Sequence, residues 1–306
     1  MRALILLTTI SLCSTALAAP ANQVGNVVIV PTAQGIRRFV LQRYLGHGAS
    51  SDSWQGVDTA TGQEVAVKMQ HDTAIARGAR DSFNLEHRIM NEFSAPQLLR
   101  SIGVGVTVGP TPKRVLVQEL AVGQQLDIQR TWARDAAVRV VMQVLLGLRA
   151  MHQAGRRHND LKPENIILKG DDAKTVKLID LAGASPLNAQ LTGWHSPYMA
   201  PEQFHWQHSG NRTNADLYSA AAMLYVLVTG DRPTRQDGYE FAKRAYTRLT
   251  TASSAGLEAV IARGLDPNPA RRYQHVDQML AALAPFASPA ASTSNTPSVA
   301  PAVATP

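Results

Sequence analysis

The chain has one cysteine in 306 residues, Cys13, and it falls within the first 18 positions. A disulfide framework and a cysteine-ligated zinc site are therefore excluded. No apolar run approaches the roughly 20 residues that cross a bilayer as a helix, which excludes a multi-span membrane protein. No Gly-x-Ser-x-Gly elbow occurs, so nothing supports acyl transfer through an activated serine. The nine histidines form no set with Asp or Glu at metal-ligand spacing along one helix face. A zinc centre is not expected, and His158 reads as a packed core histidine. Internal repeats are absent. Acidic residues are in deficit, 23 against 30 Lys and Arg, for a net charge of +7. The arginines are scattered and form no long run. The excess reads as a solvated basic surface, and no nucleic-acid partner is expected.

The two ends also lack the means to fold. From Ala287 to Pro306 there is no charge and no aromatic ring, only Ala, Ser, Thr, Pro, Val and one Asn. Such a tract cannot bury enough apolar surface to offset chain entropy, so 287–306 is expected to be a disordered tail. At the other end Arg2 is followed by the mostly apolar Ala3–Leu12 and by Ala16-Leu17-Ala18 before Ala19-Pro20. This charged, apolar, small-residue layout is that of a secretory signal peptide over residues 1–18. It implies export, to a periplasm or to the outside, with an over-extended start and a cytoplasmic protein as the alternative. Residues 19–37 read as an extension, in which Val24–Pro31 could form a short strand carrying no chemistry.

The chain as a whole is globular in composition, with 45% hydrophobic and 17% charged residues. From 38 to about 120 the pattern is short and β-branched, as in Phe39-Val40-Leu41, Glu64–Val67 and Val115–Val117. One helix, about Asp81–Phe93, interrupts it. From residue 134 the period becomes helical: Ala136–Ala154 is amphipathic, Leu217–Val228 is apolar nearly all round, and Leu257–Gly264 and His275–Leu283 follow. This predicts an α+β fold of two lobes, a small β-rich lobe over 38–120 and a larger helical lobe over 121–286, with a cleft between them.

Chemistry-bearing residues fall along both lobes. Leu45-Gly46-His47-Gly48-Ala49-Ser50-Ser51 follows a strand, and its glycines let backbone N–H groups approach a phosphate. Lys68 ends the apolar strand Val65-Ala66-Val67, and Glu86 on the next helix is a plausible partner for it. The strongest signal is His158-Asn159-Asp160-Leu161-Lys162-Pro163-Glu164-Asn165, followed by Ile166-Ile167-Leu168 and Lys177-Leu178-Ile179-Asp180. Asn165 and Asp180 offer hard oxygen donors suited to Mg²⁺. Asp160 can orient a hydroxyl and accept its proton, and Lys162 can neutralise charge on a transferring group.

Over about residues 38–286 the chain resembles a eukaryotic-type (Hanks-type) Ser/Thr protein kinase, expected to be bacterial. The motifs run in family order. They are the Gly-rich loop, Val-Ala-Val-Lys68, Glu86, Gln118-Glu119-Leu120-Ala121 as the hinge, Asp160 through Asn165, Asp180-Leu181-Ala182, and Tyr198-Met199-Ala200-Pro201-Glu202. Asp216-Leu217-Tyr218-Ser219, the Leu227–Pro233 stretch, Gly264-Leu265-Asp266-Pro267 and Arg271-Arg272 complete the series.

The resemblance implies phosphoryl transfer from ATP with Mg²⁺ (or Mn²⁺) to a Ser or Thr hydroxyl of a protein substrate. It implies Asp160, Lys162, Lys68 and Glu86 as catalytic residues and Asn165 and Asp180 as metal ligands. Nucleotide contacts fall to Gly46, Gly48, Ala66, Lys68, Glu119, Ala121 and Ile167, with the backbone of Glu119 and Ala121 on adenine. Arg272 is expected to pair with Glu202. Oligomeric state is left open.

Several positions depart from the family pattern. Ser51 replaces the third loop glycine and Ser53 the valine over adenine, changes expected to loosen nucleotide binding. Asn159 replaces the arginine that clamps a phosphorylated loop, which suggests activity without phosphorylation at Ser185, Thr192 or Ser196. Ala182 replaces a glycine, with a strain cost if its φ were positive. His195 and Ser196 stand near the substrate position, so substrate choice does not carry over. A pseudokinase scaffold and a small-molecule kinase on the same fold are the alternatives. ATP is scarce outside the cytoplasm, and delivery into a host cell or a later start would reconcile an exported chain with its use.

Overall fold

Strand formation begins earlier in the chain than the 38 boundary. In the computed structural model, which describes residues 23–48, 50–72, 82–170, 175–187, 196–204, 213–233, 238–251 and 256–287, strand β1 spans Val27–Thr32. It turns through Ala33-Gln34 into β2 (Gly35–His47), with Thr32 opposite Gly35. Strands β3 (Ser51–Asp58), β4 (Glu64–Gln70), β5 (Ser101–Thr107) and β6 (Arg114–Glu119) follow, all pairing antiparallel. Because β1 pairs with β5 as well as β2, the sheet closes into a barrel of order β1-β2-β3-β4-β6-β5. Closure removes both open edges. Period-two alternation fills the barrel with Val28, Val30, Phe39, Trp54, Val65, Val67 and Met69. It turns Ala66 and Lys68 to the opposite face.

Helix α1 (Ser82–Met90) sits within the expected 81–93 range. Its inward residues Phe83, Ile89 and Met90 join the core of the helical lobe and not that of the barrel. That lobe is built on α2 (Arg134–Gln153) and α4 (Thr213–Thr229), with the four-residue α3 (Pro201–Phe204) between them. Helices α5 (Gly238–Thr251), α6 (Leu257–Gly264) and α7 (Val276–Leu283) complete it. Every residue of α4 from Thr213 to Leu227 is buried, as its all-round apolar sequence requires. Helix α5 was not expected. It carries the stripe Phe241, Ala245 and Leu249 inward, among charged and polar neighbours that mask the period.

The small strands β7 (Gln124–Gln125), β9 (Ile166–Lys169) and β10 (Thr175–Leu178) form a sheet at the top of the helical lobe. Strand β8 (Arg156–Arg157) pairs with β11 (Ser185–Pro186) beside it. These short ladders hold the segments 158–165 and 179–184 together, and Asp180 reaches Lys68 on the barrel. Among the described residues no helix is long and apolar enough to cross a membrane. The segments expected to be a leader (1–18) and a tail (287–306) lie outside the described residues apart from Ala287.

Candidate active site

Lys68 stands at the centre of the cleft. Its Nζ lies 2.7 Å from Glu86 Oε1 on α1 and 2.9 Å from Asp180 Oδ1 below β10. Three separate elements thus meet on one ammonium. Burial alone would lower the Lys68 pKa, but the charges of Asp180 and Glu86 outweigh it and raise it well above the usual lysine range. Asp180 is held below the ordinary carboxylate range by Lys68, against the effect of burial. Glu86, 3% exposed, is pushed up by burial, partly offset by Lys68. At neutral pH the lysine is charged and Asp180 ionised, as a site for polyanion and cation requires.

Six residues before the start of β9, Asp160 is 3% exposed. Lys162 Nζ donates to its Oδ2 at 2.5 Å. Asn165 donates Nδ2 to the Asp160 carbonyl at 2.8 Å and to its Oδ2 at 3.2 Å. With that nitrogen committed to Asp160, the amide oxygen is the atom Asn165 has to offer a cation. Asp180 adopts φ 62°, a left-handed conformation that aims its carboxylate back at Lys68. Asp180 and Asn165 are joined by backbone, since the Ile179 N–H donates to the Asn165 carbonyl at 2.9 Å.

The residues expected on the nucleotide side fall on β2 and the turn after it, β4, β6 and the residues after it, and β9. Ala66 and Lys68 are two apart on the outward face of β4, and Gln118 lies opposite Ala66 on β6. The Glu119 N–H donates to the Arg100 carbonyl at 2.9 Å, and Glu119 lies opposite Val65 of β4. Its side chain pairs with Lys177 at 2.7 Å. Ile167 is 9% exposed on β9. Gly46 lies opposite Ser53, and the Gly48 N–H closes the loop onto the Ser51 carbonyl at 2.8 Å. In the α3 region Arg272 clamps Glu202 with two bonds of 2.7 and 2.8 Å.

The expectation of strain at Ala182 is corrected. Among the described residues the non-glycine positions with positive φ are Asn159 and Asp180, and Ala182 sits in a short 3₁₀ turn, Leu181–Gly183, at negative φ. Ser51 likewise needs no glycine conformation. Asn159 has a job of its own: its Nδ2 donates to the Gly183 carbonyl at 2.7 Å and to Ser185 Oγ at 2.9 Å. Ser185 also receives Arg157 Nε at 3.1 Å, and Ser196 is buried. Thr192 and His195 lie outside the described residues.

Sequence reasoning missed two features. Asp216, noted only as opening α4, accepts the backbone N–H of His158 and of Asn159, both at 2.9 Å, and sits 2.8 Å from His152 Nε2. It fixes the segment that carries Asp160. A lone carboxylate in an otherwise apolar helix was its signal. The second is a group of His47, Asp52 and His71, which no single helix face could have shown because β2, β3 and the residue after β4 build it.

A family model described as "Protein kinase domain" matches residues 39–281. The serine/threonine-protein kinase PknE of Mycobacterium tuberculosis is 29% identical over 249 residues, covering 77% of this chain and 44% of its own length. The serine/threonine-protein kinase Pkn1 of Myxococcus xanthus is 30% identical over 258 residues, 78% of this chain and 36% of its own. The probable serine/threonine-protein kinase PknB of Corynebacterium glutamicum is 27% identical over 272 residues, 80% and 42%. The chain thus spans less than half the length of these curated relatives.

Proposed function

This chain belongs to the protein kinase family, and we propose that it is an ATP-dependent Ser/Thr protein kinase. The observation that carries the reading is the meeting of Lys68, Glu86 and Asp180 within 2.9 Å, above an Asp160 held by Lys162 and Asn165. Lys68 would hold the α- and β-phosphates, with Glu86 fixing its position. The backbone of Glu119 and Ala121 would hold adenine, between Ala66 above and Ile167 below. Gly46 and Gly48 would cover the phosphates with backbone N–H groups.

The donor set suits Mg²⁺: one amide oxygen and one ionised carboxylate, both hard, beside a cationic lysine. Asn165 and Asp180 would hold the ion, which neutralises phosphate charge when bound. Asp160 orients the acceptor hydroxyl and takes its proton as the oxygen bonds to the γ-phosphorus. The bond from that phosphorus to the β-phosphate oxygen breaks, and ADP leaves. Lys162, now on Asp160, stabilises charge on the transferring group.

The test is phosphotransfer from labelled ATP to generic Ser/Thr protein substrates by the purified chain, with Asp160→Asn and Lys68→Met alongside. Each variant is expected to lower the rate by at least about 100-fold, the order expected for a lost general base or charge stabiliser. Equal incorporation by both variants and the unaltered chain would overturn the reading.

The chain is further proposed to be exported after removal of residues 1–18, on the strength of the Arg2, Ala3–Leu12 and Ala16-Leu17-Ala18 layout. Mass spectrometry of the exported protein is expected to find Ala19 at its start. An intact leader on a protein confined to the cytoplasm would refute this.

A further inference from the structure

The tip of the Gly-rich hairpin carries a second cluster of donors, on the sheet face turned away from Lys68. His47 ends β2 and lies directly opposite Asp52 on β3. Asp52 in turn lies opposite Met69, while Ser53 lies opposite Lys68. Side chains alternate along a strand, so Asp52 shares the face of Met69, and the outward face of Lys68 is the other one. His71 follows β4 and reaches the same spot, its backbone N–H anchored on the Ser50 carbonyl at 2.9 Å.

The three side chains converge. His47 Nδ1 is 2.8 Å from Asp52 Oδ1, His71 Nε2 is 3.2 Å from the same oxygen, and one donor atom from each residue lies within 4.8 Å of the others. The imidazole rings stack at 4.7 Å. Donor atoms around a tetrahedral zinc ion stand about 3.3 Å apart, given Zn–N and Zn–O bonds near 2.0–2.1 Å. The two nitrogen–oxygen spacings, 2.8 and 3.2 Å, are therefore close to those of a formed site. The His71 Nε2 atom is buried, and the polar neighbour it faces is Asp52 Oδ1 at 3.2 Å, so this imidazole nitrogen is aimed into the cluster. Tyr44 OH donates to Asp52 Oδ1 at 3.2 Å and orients the carboxylate. Outer partners of this kind commonly fix metal ligands.

We propose that His47, Asp52 and His71 form a site for a divalent transition metal of the zinc class, with water completing the coordination. Two imidazoles and one carboxylate favour such an ion over Mg²⁺, which takes oxygen donors. The site is distinct from that of Asn165 and Asp180. A metal there ties the turn of the Gly-rich hairpin to the strand end three residues beyond Lys68.

The test uses the untagged full chain. Zn²⁺ is titrated in competition with a chromogenic chelator, and Co²⁺ is added separately to read ligand geometry from its visible absorption. One equivalent is expected to bind, with the Co²⁺ bands of a nitrogen–oxygen set. His71→Ala and Asp52→Asn are each expected to weaken it at least about tenfold. His47→Ala, at a side chain 47% exposed, gives the same reading should either of the others unfold. Millimolar Mg²⁺ is expected to leave the Co²⁺ spectrum intact. Absence of Zn²⁺ binding, binding that survives the variants unchanged, or displacement of Co²⁺ by Mg²⁺ would each overturn the assignment.

Discussion

Asp216 is the single charged residue of α4, and its surroundings explain why a carboxylate is held there. It is 1% exposed and accepts two backbone N–H groups from His158 and Asn159 beside the His152 ring. Burial would raise its pKa, but the hydrogen bond and charge of His152, with the His158 N–H, outweigh burial and lower it. A group whose pKa is depressed by folding adds stability above its unfolded value, near 4, and loses it as pH falls through the folded value. Asp216→Asn replaces an acceptor oxygen with an amide nitrogen facing donors. It is expected to cost about 2–4 kcal/mol at pH 7. Denaturant unfolding between pH 6 and pH 3 is expected to show wild type losing stability more steeply than the variant. Parallel pH profiles would refute the assignment. The contrast with Asp160 and Asn165 shows what the sequence can disclose. Those two lie within one octapeptide, so their partnership is legible in the spacing. Asp216 acts across 57 residues, and only the fold brings it to Asn159.

At the scale of elements, the core strands and the long helices were legible because each carries its own period. Helix α5 was not, and strand β1 was legible only as a possible short strand over Val24–Pro31, outside the two lobes. Strand β1 takes its meaning from its neighbours: alone it is a short apolar run, and its two-sided pairing depends on β5 being able to approach. Gly105 makes that possible, since a Cβ there would lie 1.9 Å from the Ile29 carbonyl oxygen. Gly103 faces Val30 in the same way, at 2.5 Å. Gly105→Ala is expected to push β1 off the barrel at a cost of about 1–3 kcal/mol, as overpacking commonly does. Hydrogen exchange is the measurement. Amides of Val27–Thr32 should lose protection while those of the β4–β6 ladder keep most of theirs. Unchanged protection of β1 would show that closure does not rest on this contact.

Across the described residues the two hydrophobic cores do not divide where the two sequence styles do. The barrel interior is one cluster. The other runs from α1 through Leu98, Leu99 and Leu116 into α2, α4, α6 and α7. Helix α1, which carries Glu86, is therefore packed with the helical lobe although the chain places it among the strands. The loop after it is fastened there as well. Leu98 bridges Leu178, and the Leu178 N–H donates to the Gln97 carbonyl at 2.7 Å. Arg156 grips Glu92 with two bonds of 2.6 Å. Glu86 and Asp180 then approach Lys68 as parts of one packed body, while Lys68 arrives on the barrel. Leu98 is 2% exposed at the centre of this fastening. Leu98→Ala is expected to cost about 2–5 kcal/mol through lost burial and the cavity left behind. Because the fastening sets where Glu86 stands, the rate of phosphotransfer should fall together with stability, at a temperature where the variant remains folded. A stable fold loss without any loss of rate would show that α1 is positioned from the barrel side, through Lys68 alone.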